Sequence, residues 1–92
     1  MKTQLTKQVF IDSFNELSGR VHKTAREEGW WDKDRNKGEL IALMHSELSE
    51  ALESLRRGDP PDDKIPEFTG VEAELADVII RIMDFANAYN YR

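Results

Sequence analysis

The sequence predicts an all-α fold, with three main helices per chain forming a four-helix-type bundle completed by oligomerisation. Three observations lead there. Apolar residues recur at three-to-four spacing in three separate stretches, and nothing alternates convincingly as a strand would. Each stretch is flanked by residues suited to starting or stopping a helix. The chain has only 92 residues, 39% apolar and 34% charged. That is one domain, too small and too charged to close a large core alone, so a second copy is expected to complete it.

The first helix is expected from about Thr6 to Glu28, on Phe10, Phe14, Leu17, Val21 and Ala25. Gly29 supplies its stop, because glycine accepts the left-handed conformation after a last turn. A short loop through Trp30 and Trp31 follows. Asn36-Lys37-Gly38-Glu39 then reads as a helix start, with Asn36 as N-cap. The second helix bears Leu40, Ile41, Met44, Leu48, Ala51, Leu52 and Leu55, and ends at Arg56-Arg57-Gly58. Asp59 to Pro66 is a proline-rich linker, which no helix can cross. Thr69-Gly70-Val71-Glu72 repeats the capping pattern. The third helix runs to about Tyr89 on Val71, Leu75, Val78, Ile79, Ile82, Met83 and Ala86.

Composition excludes several functions. Thirteen basic against eighteen acidic residues give a net charge of −5, which argues against a nucleic-acid partner, since such proteins need a concentrated basic footprint. The longest apolar run, Leu40 to Met44, is far short of a membrane span. Without cysteine there is no disulfide framework and no thiolate metal site. A cytoplasmic setting is expected, and Met1-Lys2-Thr3-Gln4 opens a polar stretch rather than an apolar signal segment.

The informative feature is a duplicated register. Ser46-Glu47-Leu48-Ser49-Glu50-Ala51-Leu52 aligns with Ala73-Glu74-Leu75-Ala76-Asp77-Val78-Ile79, so each helix bears carboxylates at i and i+3. With Leu48 or Leu75 set at zero on its wheel, the first acid of each pair falls near −100° and the second near −160°. If the apolar stripes pack together, both pairs lie on one flank of the seam, and antiparallel packing brings them face to face. A solvated acidic face is the plain alternative. Against it, the residues at i+4 are Ala51, Ser54, Val78 and Arg81, so only Asp77 has a local counter-ion. Four converging carboxylates repel, raising at least one pKa, and a divalent cation removes the penalty. Glu47, Glu50, Glu74 and Asp77 are therefore candidate metal ligands. Their hard oxygens suit Mg²⁺, with Mn²⁺ possible. A di-iron centre is excluded, because Gly19 and Ala42 stand where Glu-x-x-His would need glutamates.

This pattern, with Gly29-Trp30-Trp31, Arg35-Asn36 and His45 through Leu52, resembles the MazG-like, all-α nucleoside triphosphate pyrophosphohydrolases. That superfamily includes dimeric dUTPases and dCTP pyrophosphatases. The resemblance covers residues 20 to 90, with Ser46 standing where the family's motif has its first acid. It implies one MazG-like domain over residues 1–92, acting as a homodimer or homotetramer. The implied reaction is Mg²⁺-dependent hydrolysis of a nucleoside triphosphate, a dNTP or noncanonical NTP, to monophosphate and pyrophosphate, cleansing the nucleotide pool. Glu47 or Glu50 would accept the proton of the attacking water. Trp30 and Trp31 would stack on the base or simply close the helix turn. Arg35 and Asn36 would meet the phosphates or stay loop polarity, and Arg81 would hold a phosphate or pair with Asp77. His22, His45, Lys37 and Asn87 are weaker candidates, and Tyr89 and Tyr91 suit packing. The alternative is a non-catalytic helical oligomer, an interaction, regulatory or nucleotide-binding module.

Overall fold

A computed structural model describes the backbone of residues 2–92 and the side chains from Thr6 onward, so Met1 of the polar N-terminal stretch lies outside the described residues. The chain forms three α-helices: α1, Lys2–Glu27, α2, Lys37–Arg56, and α3, Gly70–Ala88. Among the described residues the nearest thing to a strand is a single antiparallel bridge between Pro61 and Thr69. No described helix is long and apolar enough to cross a membrane. Contacts divide the chain into two compact units, one formed by the residues up to Asp34 together with Ile82–Arg92, the other by Arg35–Arg81.

The helix boundaries follow from local chemistry. Asn36, in extended conformation, accepts the Glu39 N–H at 3.1 Å and so caps α2. At α3 the capping box is reciprocal: Thr69 Oγ1 accepts from the Glu72 N–H at 3.3 Å, and Glu72 Oε1 accepts from the Thr69 N–H at 3.0 Å. All three helices stop the same way. The N–H groups of Trp30, Asp59 and Tyr91 reach back to the carbonyls of Ala25, Ser54 and Ala86 at 3.0, 2.8 and 2.7 Å. The residue before each, Gly29 (φ 88°), Gly58 (φ 87°) or Asn90 (φ 61°), is left-handed. This six-to-one closure satisfies carbonyls that the helix leaves open.

The Arg35–Arg81 unit is an antiparallel pair made from α2 and the first part of α3. The C-terminal end of α2 meets the N-terminal end of α3 at Ser54 and Gly70, while Glu47 meets Arg81 further along. A Cβ on Gly70 would collide with Ser54 Oγ and lie 3.1 Å from Ser54 Cβ, so a larger residue here would have to displace the Ser54 side chain. The linker is clamped into the same corner. Asp59 Oδ1 accepts from the Val71 N–H at 2.9 Å, and the Pro60 carbonyl accepts from the Gly70 N–H at 2.8 Å. Asp62 Oδ2 folds the loop by accepting from the N–H groups of Lys64 and Ile65.

The packing seam differs from the expected one. Leu48, Leu52 and Leu55 are 47%, 49% and 60% exposed, and Leu75 and Ile79 are 46% and 52% exposed. The buried positions of α2 are Leu40, Ala51 and Ser54, with Ala73 and Val78 opposite on α3. On both wheels the seam is turned by about 90° from the large apolar stripe, toward the acids. The physical reason is steric. Ala51, Ser54, Gly70 and Ala73 let the backbones approach, and a leucine face would hold them apart. Glu47 and Glu74 therefore stand half-buried in the seam, while Glu50 and Asp77 stay exposed at its edge.

A candidate metal centre between α2 and α3

Glu47, Glu50 and Glu74 each offer a carboxylate oxygen, and these oxygens lie within 4.8 Å of one another. Glu47 and Glu74 are half-buried and Glu50 is exposed. The i, i+3 spacing puts Glu47 and Glu50 on one side of α2, and the antiparallel crossing brings Glu74 to meet them.

Protons and charge divide unevenly within the group. Burial pushes the Glu74 carboxyl up first, then hydrogen bonding and charge from Glu47 and Glu50, and it titrates at about 8. Its Oε2 atom is buried with no donor in reach. Burial also works to raise Glu47, but it is outweighed by hydrogen bonds from Glu74 and Arg81 and by the Arg81 charge. Glu47 is thus held below 4.5. The sequence expectation that clustering raises at least one carboxyl is met at Glu74.

Asp77 stands outside the trio that shares the 4.8 Å distance, yet close enough to feel it. Lost hydration and then the Glu47 charge raise its carboxyl, against the lowering pull of Arg81. Arg81 also does more than its local spacing suggests. Its Nε donates to Glu47 Oε1 at 2.9 Å across the seam, so the acid that lacks a counter-ion on its own helix finds one on the next. A cleft of about 420 Å³ opens beside the carboxylates, bounded by Glu50, Ser54, Arg57, Pro60, Gly70 and Glu74.

The other candidates are placed differently. Asn36 spends its side-chain oxygen on capping α2. Arg35 is half-buried at the start of that unit, and Lys37 and His45 are exposed. Trp30 and Trp31 belong to the other unit. There the Trp31 indole N–H donates to both oxygens of Asp84, at 2.9 and 3.1 Å, and the ring sits edge-on to His22 and Tyr89. Trp31 is thus built into its own unit, which favours the helix-turn reading over base stacking. Trp30 is half-buried, and its N–H closes α1.

Asp84 is the residue that sequence reasoning missed. Only 7% exposed, it also hydrogen-bonds His22 Nδ1 at 2.7 Å, so one carboxylate ties α1, the tryptophan loop and α3 together. Tyr89 and Tyr91 join Phe85 in the neighbouring aromatic cluster, with centroids 5.0 and 5.7 Å from the Phe85 ring.

Comparison of the chain with protein-family models, with curated proteins and with solved structures finds no match to any of them.

Proposed function

We propose that this chain is a Mg²⁺-dependent nucleoside triphosphate pyrophosphohydrolase of the MazG-like kind, acting on a dNTP or noncanonical NTP in a cytoplasmic nucleotide pool. The observation that supports it most is the buried Glu74 oxygen with no donor, beside two more carboxylates within 4.8 Å. A group of acids that keeps a proton to about 8 in the absence of a cation suits a cation that replaces that proton.

Glu47, Glu50 and Glu74 would hold the ion, with Asp77 adjoining. Mg²⁺, or Mn²⁺, would supply the charge neutralisation a polyphosphate needs near so many acids and the acidity that water lacks by itself. The chain's own residues supply the rest. Arg81 keeps Glu47 ionised and aimed into the seam. Glu50, the exposed member, is the better placed of the two candidate bases to take a proton from attacking water, because Glu47 is already engaged by Arg81. The cleft beside Glu50 and Glu74 gives a substrate a way in.

The test is a panel of dNTPs and noncanonical NTPs incubated with the full chain in Mg²⁺ or in EDTA, scored for monophosphate and pyrophosphate. Glu47→Gln and Asp77→Asn are each expected to abolish turnover while leaving helical circular dichroism nearly unchanged. Full activity in both variants would end this assignment. Metal-dependent nucleotide binding without product would favour a binding module instead.

A further inference from the structure

We propose that the cleft beside Glu50 and Glu74 receives the phosphate tail of the substrate rather than its base, and that Arg57 is the side chain that meets the β- and γ-phosphates. This role rests on the nucleotide reading and deepens it, by naming the end of the triphosphate that enters. The cleft, of about 420 Å³, lies wholly within the Arg35–Arg81 unit. Five acids line it, Glu50, Glu53, Asp62, Asp63 and Glu74, and no aromatic residue does. A base entering here would find no ring to stack on. Among the described residues that line the cleft, Arg57 alone carries positive charge.

The end of α2 sets where Arg57 stands. It comes seven residues after Glu50, two helical turns, so it lies on the same line of the helix about 10 Å further on. Its own N–H reaches the carbonyls of Glu53 and Ser54, both at 3.2 Å, which keeps it on the helical path as the cap of α2. Gly58 (φ 87°) then turns the chain, and Pro60 and Pro61 line the same cleft. Glu53 stands one turn before Arg57, the spacing at which an ion pair is favoured. The two form none, and the exposed Arg57 side chain has no partner among the described residues. Arg81, by contrast, is already held by Glu47 at 2.9 Å. An unengaged guanidinium at the edge of a carboxylate group suits a phosphate, whose oxygens two of its N–H groups can bind at once. The surrounding acids repel a bare polyphosphate, so the tail enters with its charge offset by Mg²⁺.

Calorimetric titration of inorganic pyrophosphate into the full chain in Mg²⁺ gives a binding readout independent of turnover. Arg57→Gln is expected to weaken that binding about tenfold, through loss of charge-assisted hydrogen bonds. Arg57→Lys should recover part of the loss, since an ammonium keeps the charge but not the fork. Two controls separate this from a folding defect. A nucleoside monophosphate, which has no β- or γ-phosphate, should bind the unaltered and Arg57→Gln proteins alike, and so should Mg²⁺ alone. Pyrophosphate affinity indifferent to residue 57 overturns the proposal. So does an equal loss for the monophosphate, or no pyrophosphate binding to the unaltered chain. The two readings fail separately. Nucleotide turnover with pyrophosphate binding indifferent to residue 57 removes the role of Arg57 and leaves the hydrolase. Arg57-dependent pyrophosphate binding without turnover removes the hydrolase and leaves the anion site.

Discussion

Glu47 and Glu74 occupy the same position on the wheels of α2 and α3, yet one is held below 4.5 and the other titrates at about 8. The asymmetry comes from the hydrogen bonds Glu47 accepts, first from Glu74 and then from Arg81, whose Nε lies 2.9 Å from Glu47 Oε1, while no donor reaches Glu74 Oε2. The seam therefore resolves like-charge repulsion by pairing one carboxylate with a guanidinium and leaving the other its proton.

The pH dependence of stability follows from Glu74. Its folded pKa is raised from 4.5 to about 8, so the folded state holds a proton that the unfolded chain releases. Stability from this group is complete below 4.5 and is lost as pH rises toward 8. Glu47 works oppositely, its contribution fading only on acidification below 4.5. Thermal melts without divalent ions should fall from pH 5 to 8, and Glu74→Gln should flatten that slope. Mg²⁺ should restore stability most at the alkaline end, since metal and proton compete for the same oxygens. Parallel pH profiles for the two proteins, with no response to Mg²⁺, would mean Glu74 is not the group.

Gly70 is where the two helices of the acid-bearing unit come closest. Alanine there should gain helix propensity yet meet the Ser54 side chain, for a net loss of about 1–2 kcal/mol. In a Ser54→Gly background the same change should cost little. Urea unfolding of the four proteins in this cycle checks it, and additive effects would show that the two positions do not touch.

Asp84 should behave as a structural centre of its own unit. Asp84→Ala leaves His22 and the Trp31 N–H without their acceptor, at a cost of about 2–4 kcal/mol. Asp84→Asn keeps one acceptor oxygen and should lose about half of that. Tryptophan emission should shift to the red in the alanine variant. Unaltered emission and melting temperature would contradict the hydrogen bonds described.

Local signals carried the helices. Asn36, Gly29, Gly58 and the Thr69–Glu72 pair each act through neighbours within five residues, and such contacts are written in sequence order. The offset register and antiparallel packing do bring Glu74 to Glu47 and Glu50, though not through the Leu48 and Leu75 stripes from which the register was read, and Asp77 stays outside the trio. What periodicity does not state is which of two adjacent faces a helix turns inward. Leu48 and Leu75 mark the larger apolar stripe, but Ala51, Ser54, Gly70 and Ala73 permit the closer approach, and close approach prevailed. Asp84 was illegible for a different reason. Its partners His22 and Trp31 lie 62 and 53 positions away in the chain.

The clamp between Asp59-Pro60 and Gly70-Val71 makes the span between them a closed ring anchored at its neck. Lengthening such a ring at its tip, around residues 63–67, gives up local turn bonds such as those of Asp62 to Lys64 and Ile65 and adds the slowly growing entropy of a longer loop. Neither helix need change its register to accommodate the added residues. The tip is thus a port where extra chain, whether a recognition segment or a tag, can be spliced in without moving a carboxylate.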